Sequence, residues 1–232
     1  MKILLAVIGF LLLTGALALA EIRIVSAEGD IKIRRGARED WQPAAAGDIV
    51  KPEDSMRSGR GSSVVLSVDG VKMLALPEMV IVDCSDLRTL TQEDLLLKLA
   101  MEGIRSLPEQ KRDGSLTVPR TTTVHGTRSE PAEARRTRSK EGYVYLLNGT
   151  KVLHRHGFYA TMVLRAKEVF RLAPDLHKRY DVRLMMANAF EKMNLSGEAL
   201  EEYQGLSKEA LSLRERAVVE GKIAELKKKQ EG

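Results

Sequence analysis

The sequence predicts a multidomain β plus α protein: an N-terminal all-β unit of short strands, one amphipathic helix, and a C-terminal module of α-helical hairpins. Three observations predict it. From Ile22 to about Ser85 apolar residues alternate or cluster in short runs between turn-forming residues, the pattern of strands joined closely. From Thr91 the apolar spacing becomes helical, and beyond Gly142 it stays so to Gly232. Between the helical stretches, Arg105 to Lys140 holds nine basic and four acidic residues and few apolar ones. The chain of 232 residues, 44% apolar, can bury a sizeable core in one or two domains. Its single Cys excludes an internal disulfide and, with only four His, leaves little material for a Cys-rich zinc site.

The first element is a leader over residues 1–20. Met1-Lys2 gives a positive start, Ile3 to Ala20 is uncharged and apolar, and Ala18-Leu19-Ala20 ends in the small residues a signal peptidase requires. Cleavage there makes Glu21 the first mature residue and leaves a net charge of +4. The alternative is an uncleaved anchor, since this run approaches the ~20 residues that span a bilayer. No Cys follows the run before Cys84, so lipid attachment at a processed N-terminal Cys has no site. An exported chain with one thiol points to a bacterial periplasm.

Strands are expected at Ile22-Arg23-Ile24-Val25, Ile31-Lys32-Ile33 and Ser63 to Val68, with turns at Glu28-Gly29-Asp30, Gly47-Asp48, Gly59-Arg60-Gly61 and Asp69-Gly70. Asp69-Gly70 between two β-rich runs is a hairpin signal. Thr91 with Gln92-Glu93-Asp94 then supplies a cap and acidic first turn for a helix over 91–107, with Leu96, Leu99, Ala100, Ile104 and Leu107 on its apolar side. The domain boundaries follow as 21–128 for the β domain with this helix, 129–141 for a basic linker, and 142–232 for the helical domain. Within the last, helices are expected at Tyr145–His156, Tyr159–Leu172, Tyr180–Met193, Gly197–Ala210 and Arg214–Lys229, broken at Ala173-Pro174-Asp175.

Gly29, Trp41-x-Pro43, Gly47-Asp48, Asp54-Ser55-x-Arg57-Ser58-Gly59-x-Gly61-Ser62, Asp69-Gly70 and Pro77 together resemble the FecR domain family in order and spacing. Ser58 stands where Thr is usual and Glu53 where Gly often precedes the Asp. Thr117-Val118-Pro119 and His125-Gly126-Thr127 resemble the segments that close that domain, with His125 in place of an Arg. The resemblance implies an all-β domain over about residues 22–128. Its signalling members carry a cytoplasmic arm ahead of a membrane helix, whereas only Met1-Lys2 precede the apolar run here, which argues against direct contact with a sigma factor.

The helical part resembles tetratricopeptide repeats. Ala187-x-x-Phe190 followed by Ala199-x-x-x-Tyr203 fits the small and aromatic core positions of one repeat, and Tyr159, Met162, Ala166 and Pro174 fit a weaker earlier copy. Met162 and Ala199 lie 37 positions apart, against a usual period of about 34, so a short loop insertion is required. The resemblance implies a peptide-binding concave face lined by the first helix of each pair, presenting Lys151 and His154 from one repeat and Asn188 and Glu191 from the next. Asn188 offers a donor and an acceptor to a peptide backbone and Lys151 a partner for a carboxylate. Two repeats and a cap bury little by themselves, so docking on the β domain or self-association is expected to supply the rest.

Other constellations are weaker. His154-x-His156 places its rings on nearly opposite helix faces, unsuited to one metal ion. Cys84 follows an apolar strand and reads as a packed thiol. Ser62-Ser63 lacks a nucleophile elbow, and Gly59-Arg60-Gly61 precedes a strand rather than a phosphate-binding helix. Arg135, Arg136, Arg138 and Lys140 form a candidate anion-binding run, the alternative being a solvated linker. Without interleaved aromatics that run does not suggest nucleic acid.

The function expected is therefore non-enzymatic: an exported cell-envelope scaffold that binds or assembles with an envelope protein partner, without a cofactor, catalytic residue or metal. Alternatives are binding of peptidoglycan or another anionic envelope polysaccharide, and periplasmic signalling related to FecR regulators. Membrane association is expected only through an unprocessed leader.

Overall fold

A computed structural model describes residues 21–105 and 140–231. The leader, the closing segments at 117–119 and 125–127, and Arg135, Arg136 and Arg138 lie outside the described residues, as does the side chain of Lys140. Eight strands come first: β1 (Ile22–Glu28), β2 (Ile31–Arg34), β3 (Trp41–Pro43), β4 (Ile49–Val50), β5 (Ser55–Ser58), β6 (Ser63–Val68), β7 (Lys72–Leu76) and β8 (Val80–Asp83). Six helices follow: α1 (Gln92–Arg105), α2 (Lys140–Arg155), α3 (Tyr159–Leu172), α4 (Tyr180–Lys192), α5 (Ser196–Ser207) and α6 (Leu213–Glu231). Strands thus precede helices, as the sequence pattern requires. Among the described residues no helix is long and apolar enough to cross a membrane.

The strands form two antiparallel four-stranded sheets, in the orders β4-β1-β6-β7 and β3-β2-β5-β8. Alternation builds their inner faces. Ile22 and Ile24 of β1, Val64, Leu66 and Val68 of β6, and Leu74 and Leu76 of β7 are buried in one sheet, with Ile31, Ile33, Met56, Val80 and Val82 in the other. A β-bulge at Val25, where the pairing steps from Ile24↔Leu66 to Ser26↔Val65, shifts the alternation by one, so that Ser26 is exposed and Ala27 packs against the core. Pro43 lies on edge strand β3, where its missing N–H breaks no interior ladder.

Only the β2–β3 and β6–β7 connections stay within a sheet; the others carry the chain across to the opposite one. At the β6–β7 turn both Asp69 (φ 55°) and Gly70 (φ 67°) take the left-handed backbone of a type I′ hairpin. The crossing turns are laced together instead. Gly59 N donates to Asp30 O at 2.8 Å and Asp30 N to Ser62 Oγ at 2.8 Å.

Polar residues of the Asp54-to-Ser58 run are spent on hydrogen bonds within the strand unit, to connections and to neighbouring strands. Asp54, 2% exposed, accepts from the amides of Gly36 and Lys51 and from Arg35. Ser58 Oγ donates to Pro77 O and accepts from Val80 N, while Ser55 Oγ donates to Asp83 and accepts from Arg34. Each satisfies a group that burial would otherwise strand.

β8 is apolar without alternation because both its faces are covered: Val80, Ile81 and Val82 are all buried. One cover is α2. A Cβ built on Gly149 would lie 2.1 Å from Ile81 O, so only glycine permits this approach of helix to strand. Asn148 Nδ2 donates to Met79 O at 2.9 Å, and Arg57 lies 5.2 Å from the Tyr145 ring centroid as a cation–π contact. One continuous apolar cluster contains the sheet interior together with Leu95 of α1, Leu147 and Leu153 of α2, and the interiors of the later helices.

Local signals explain the helix starts. Thr91 Oγ1 accepts from Asp94 N at 3.1 Å, capping α1 as its sequence indicates. α2 begins earlier than its apolar pattern suggests, since Gly142 is buried and Tyr143 packs against the core. The break at Ala173-Pro174-Asp175 becomes a 3₁₀ turn over Pro174–Lys178. Ala187, Phe190, Ala199 and Tyr203 are at most 2% exposed where α4 pairs with α5, and Val219 and Leu226 seat α6 on that pair.

Candidate functional site

The four residues expected to line a peptide groove are brought into one neighbourhood but are occupied within the chain. α2 and α4 lie side by side. Lys151 Nζ pairs with Asp181 at 2.9 Å, and His154 Nε2 meets Asn188 Oδ1 at 3.1 Å. Glu191 accepts from Tyr203 Oη and from Lys222 Nζ of α6 at 3.0 Å. The hydrogen bond from Arg179, opposed by burial and reinforced by Lys151, holds Asp181 far below the usual carboxylate range. Burial, then the bond to Glu191, pushes the Tyr203 phenol up. These contacts join successive helices, and the His154 ring also meets Tyr159 edge-on at 5.4 Å.

His154 and His156 do not converge: the His154 ring meets Asn188 of α4, whereas the His156 ring hydrogen-bonds with the Ala75 backbone of β7. Among the described residues no group of three or more His, Cys, Asp or Glu is placed to hold a metal ion. Cys84 is 3% exposed, and burial followed by the charges of Asp54, Asp83 and Asp86 pushes its thiol far above the usual range. That burial is the setting of a packed thiol.

An open groove of about 540 Å³ lies on another face, between α1, α3, α4 and α5. Leu96, Leu99, Phe170, Met186 and Phe190 give it an apolar lining. Its position follows from the docking of α1: Leu95, fully buried, fixes the helix against the core, and the Glu102–Arg171 ion pair ties it to α3. Leu96 consequently faces the opening and remains 39% exposed, although α1 is amphipathic. The apolar side expected through Leu96, Leu99 and Ala100 is not the one that docks: Leu95 is buried and Leu99 half-buried, whereas Leu96 and Ala100 are exposed.

Charge at the rim is uneven. Lys167 pairs with Glu202 at 3.2 Å and Arg171 with Glu102, so both rim cations are matched. Arg183, buried beneath α5 where Gly205 gives it room, lies 3.6 Å from Glu202 and 3.2 Å from Glu209. Glu198 and Glu201 have no ion-pair or hydrogen-bond partner among the described residues. His177 adds no compensating charge at neutral pH, because partial burial and then the Arg183 guanidinium hold it below the usual histidine range.

A second polar cluster fastens the sheets to the helices and, with Lys98, Met101 and Leu164, lines a smaller open hollow of about 220 Å³. Arg165 of α3 reaches Asp83 at 2.6 Å, Asp86 at 2.8 Å and Glu168 at 2.7 Å, while Thr161 Oγ1 donates to Asp86 O at 2.8 Å. The chain matches no protein-family model, no curated protein and no solved structure.

Proposed function

We propose that the protein is an exported, non-enzymatic component of a bacterial cell envelope that binds another envelope protein and takes part in its assembly. The groove between α1, α3, α4 and α5 carries this reading. Its volume falls within the roughly 300–1,000 Å³ of ligand sites, and an apolar floor with a few polar groups at the rim is the form such sites take. The FecR-like strand unit serves as the rigid support, with Asp54, Ser55 and Ser58 of its motif engaged in hydrogen bonds inside the unit. The tetratricopeptide-like helices supply the walls.

Photocrosslinking in the native envelope tests the assignment, with the probe placed at Leu96 and, separately, at exposed Val71 on the strand unit. Mass spectrometry should recover one stoichiometric protein partner from the Leu96 probe. Recovery of no protein from either position would remove the assembly function. The same preparation reports export: the mature protein should begin at Glu21 and fractionate with the periplasm, and an intact leader in the cytosol would contradict that.

A further inference from the structure

We infer that the groove accepts a short segment of a partner polypeptide in which apolar side chains are flanked by lysine or arginine. This deepens the binding function and rests on it. Floor and rim make separate demands. Leu96, Leu99, Phe170, Met186 and Phe190 favour apolar side chains through water release. At the rim, among the described residues, four carboxylates, Glu102, Glu198, Glu201 and Glu202, face two lysine or arginine cations, Lys167 and Arg171.

Both cations are already satisfied within the chain, which leaves Glu198 and Glu201 in excess. They lie three positions apart on α5, so they are neighbours on one helix surface. An acidic segment entering here would meet like charge at that edge, whereas a basic one meets two available acceptors. This selectivity is opposite in sign to that of a lysine presented to a peptide carboxylate, and it resides on α5 rather than on α2.

The test measures binding to the purified full-length protein by fluorescence anisotropy. Its probes are short amphipathic peptides sharing one set of leucines but carrying Lys, Gln or Glu at the remaining positions. Two screened ion pairs predict roughly tenfold tighter binding of the Lys peptide than the Glu peptide at low salt. The preference should fall to about twofold or less in the Glu198→Gln/Glu201→Gln variant, and in high salt. Leu96→Asp should weaken all three peptides, with circular dichroism verifying that both variants retain the fold.

Equal binding of the Lys and Glu peptides, or a preference surviving Glu198→Gln/Glu201→Gln, overturns the inference. So does an intramolecular crosslink from a probe at Glu201 to residues 106–139, which identifies the chain's own basic stretch as the occupant. Concentration-dependent dimerisation abolished by Leu96→Asp likewise assigns the groove to a second copy. An envelope partner crosslinked only at Val71 would leave the binding function standing and remove this one. A Lys-selective groove without any envelope partner would do the reverse.

Discussion

Asp54 shows how much one buried carboxylate can organise. Burial alone would raise its pKa, but the Lys51 amide, the Arg35 side chain and the Gly36 amide outweigh that and hold it below the ordinary carboxylate range. Its contribution is present above the unfolded value near ~3.9 and is lost as pH falls through the folded one. Asp54→Ala should cost about 2–4 kcal/mol in urea unfolding at pH 7, because two backbone amides and a guanidinium lose their acceptor. A change near zero would show that water replaces it. Asp86 has the opposite sign: burial, opposed by Arg165 and assisted by Asp83, pushes it up to about 6. The folded state therefore holds the extra proton between pH ~4 and 6, and stability present at the lower value is lost as pH rises through that window. Unfolding from pH 4 to 7 should show the native protein losing ground against Asp86→Asn; a constant difference between them refutes the coupling.

Within the elements, Gly149 reverses a common rule. Alanine in place of a mid-helix glycine ordinarily gains roughly 0.5–1 kcal/mol. Here the added methyl would meet the backbone oxygen of Ile81, and moving helix from strand should make Gly149→Ala destabilising by about 1–3 kcal/mol in denaturant unfolding. A stabilised variant would mean that α2 stands farther from β8. The alternation of Ile22, Ile24, Ile31 and Ile33 made strands legible, and Thr91 marked the start of α1. Sheet membership was not legible, because Gly29 and Gly61 supply left-handed turns without specifying whether the following strand pairs locally or crosses over. The pairing of Lys151 with Asp181 and of His154 with Asn188 was hidden for a related reason: helical spacing gives a face but not the neighbour that covers it.

For the whole molecule, the continuous cluster from Ile22 to Leu226 means that the helices complete their burial against the strands. Residues 142–232 expressed alone should melt broadly and well below the full chain, since β8 would no longer cover α2 and Asp83 and Asp86 would no longer hold Arg165. Circular dichroism during heating decides this, and a sharp transition matching the full chain would make the strand contact dispensable. The groove stands on the same continuity, because α1 follows the strands in sequence yet forms a wall with α3, α4 and α5. Sequence distance concealed that wall, just as it concealed the rim charge shared between α1, α3 and α5.

The sheet orders also set the pace of folding. β1 must wait for β4 and β6, and β5 joins β2 to β8, whereas α2 with α3 and α4 with α5 meet their partners across a few residues. High contact order slows the search for native pairings, and local helix hairpins escape most of that delay. The strand half is therefore expected to limit refolding, and destabilising substitutions in the non-local β1–β6 pairing should slow it more than equal destabilisation placed in α6.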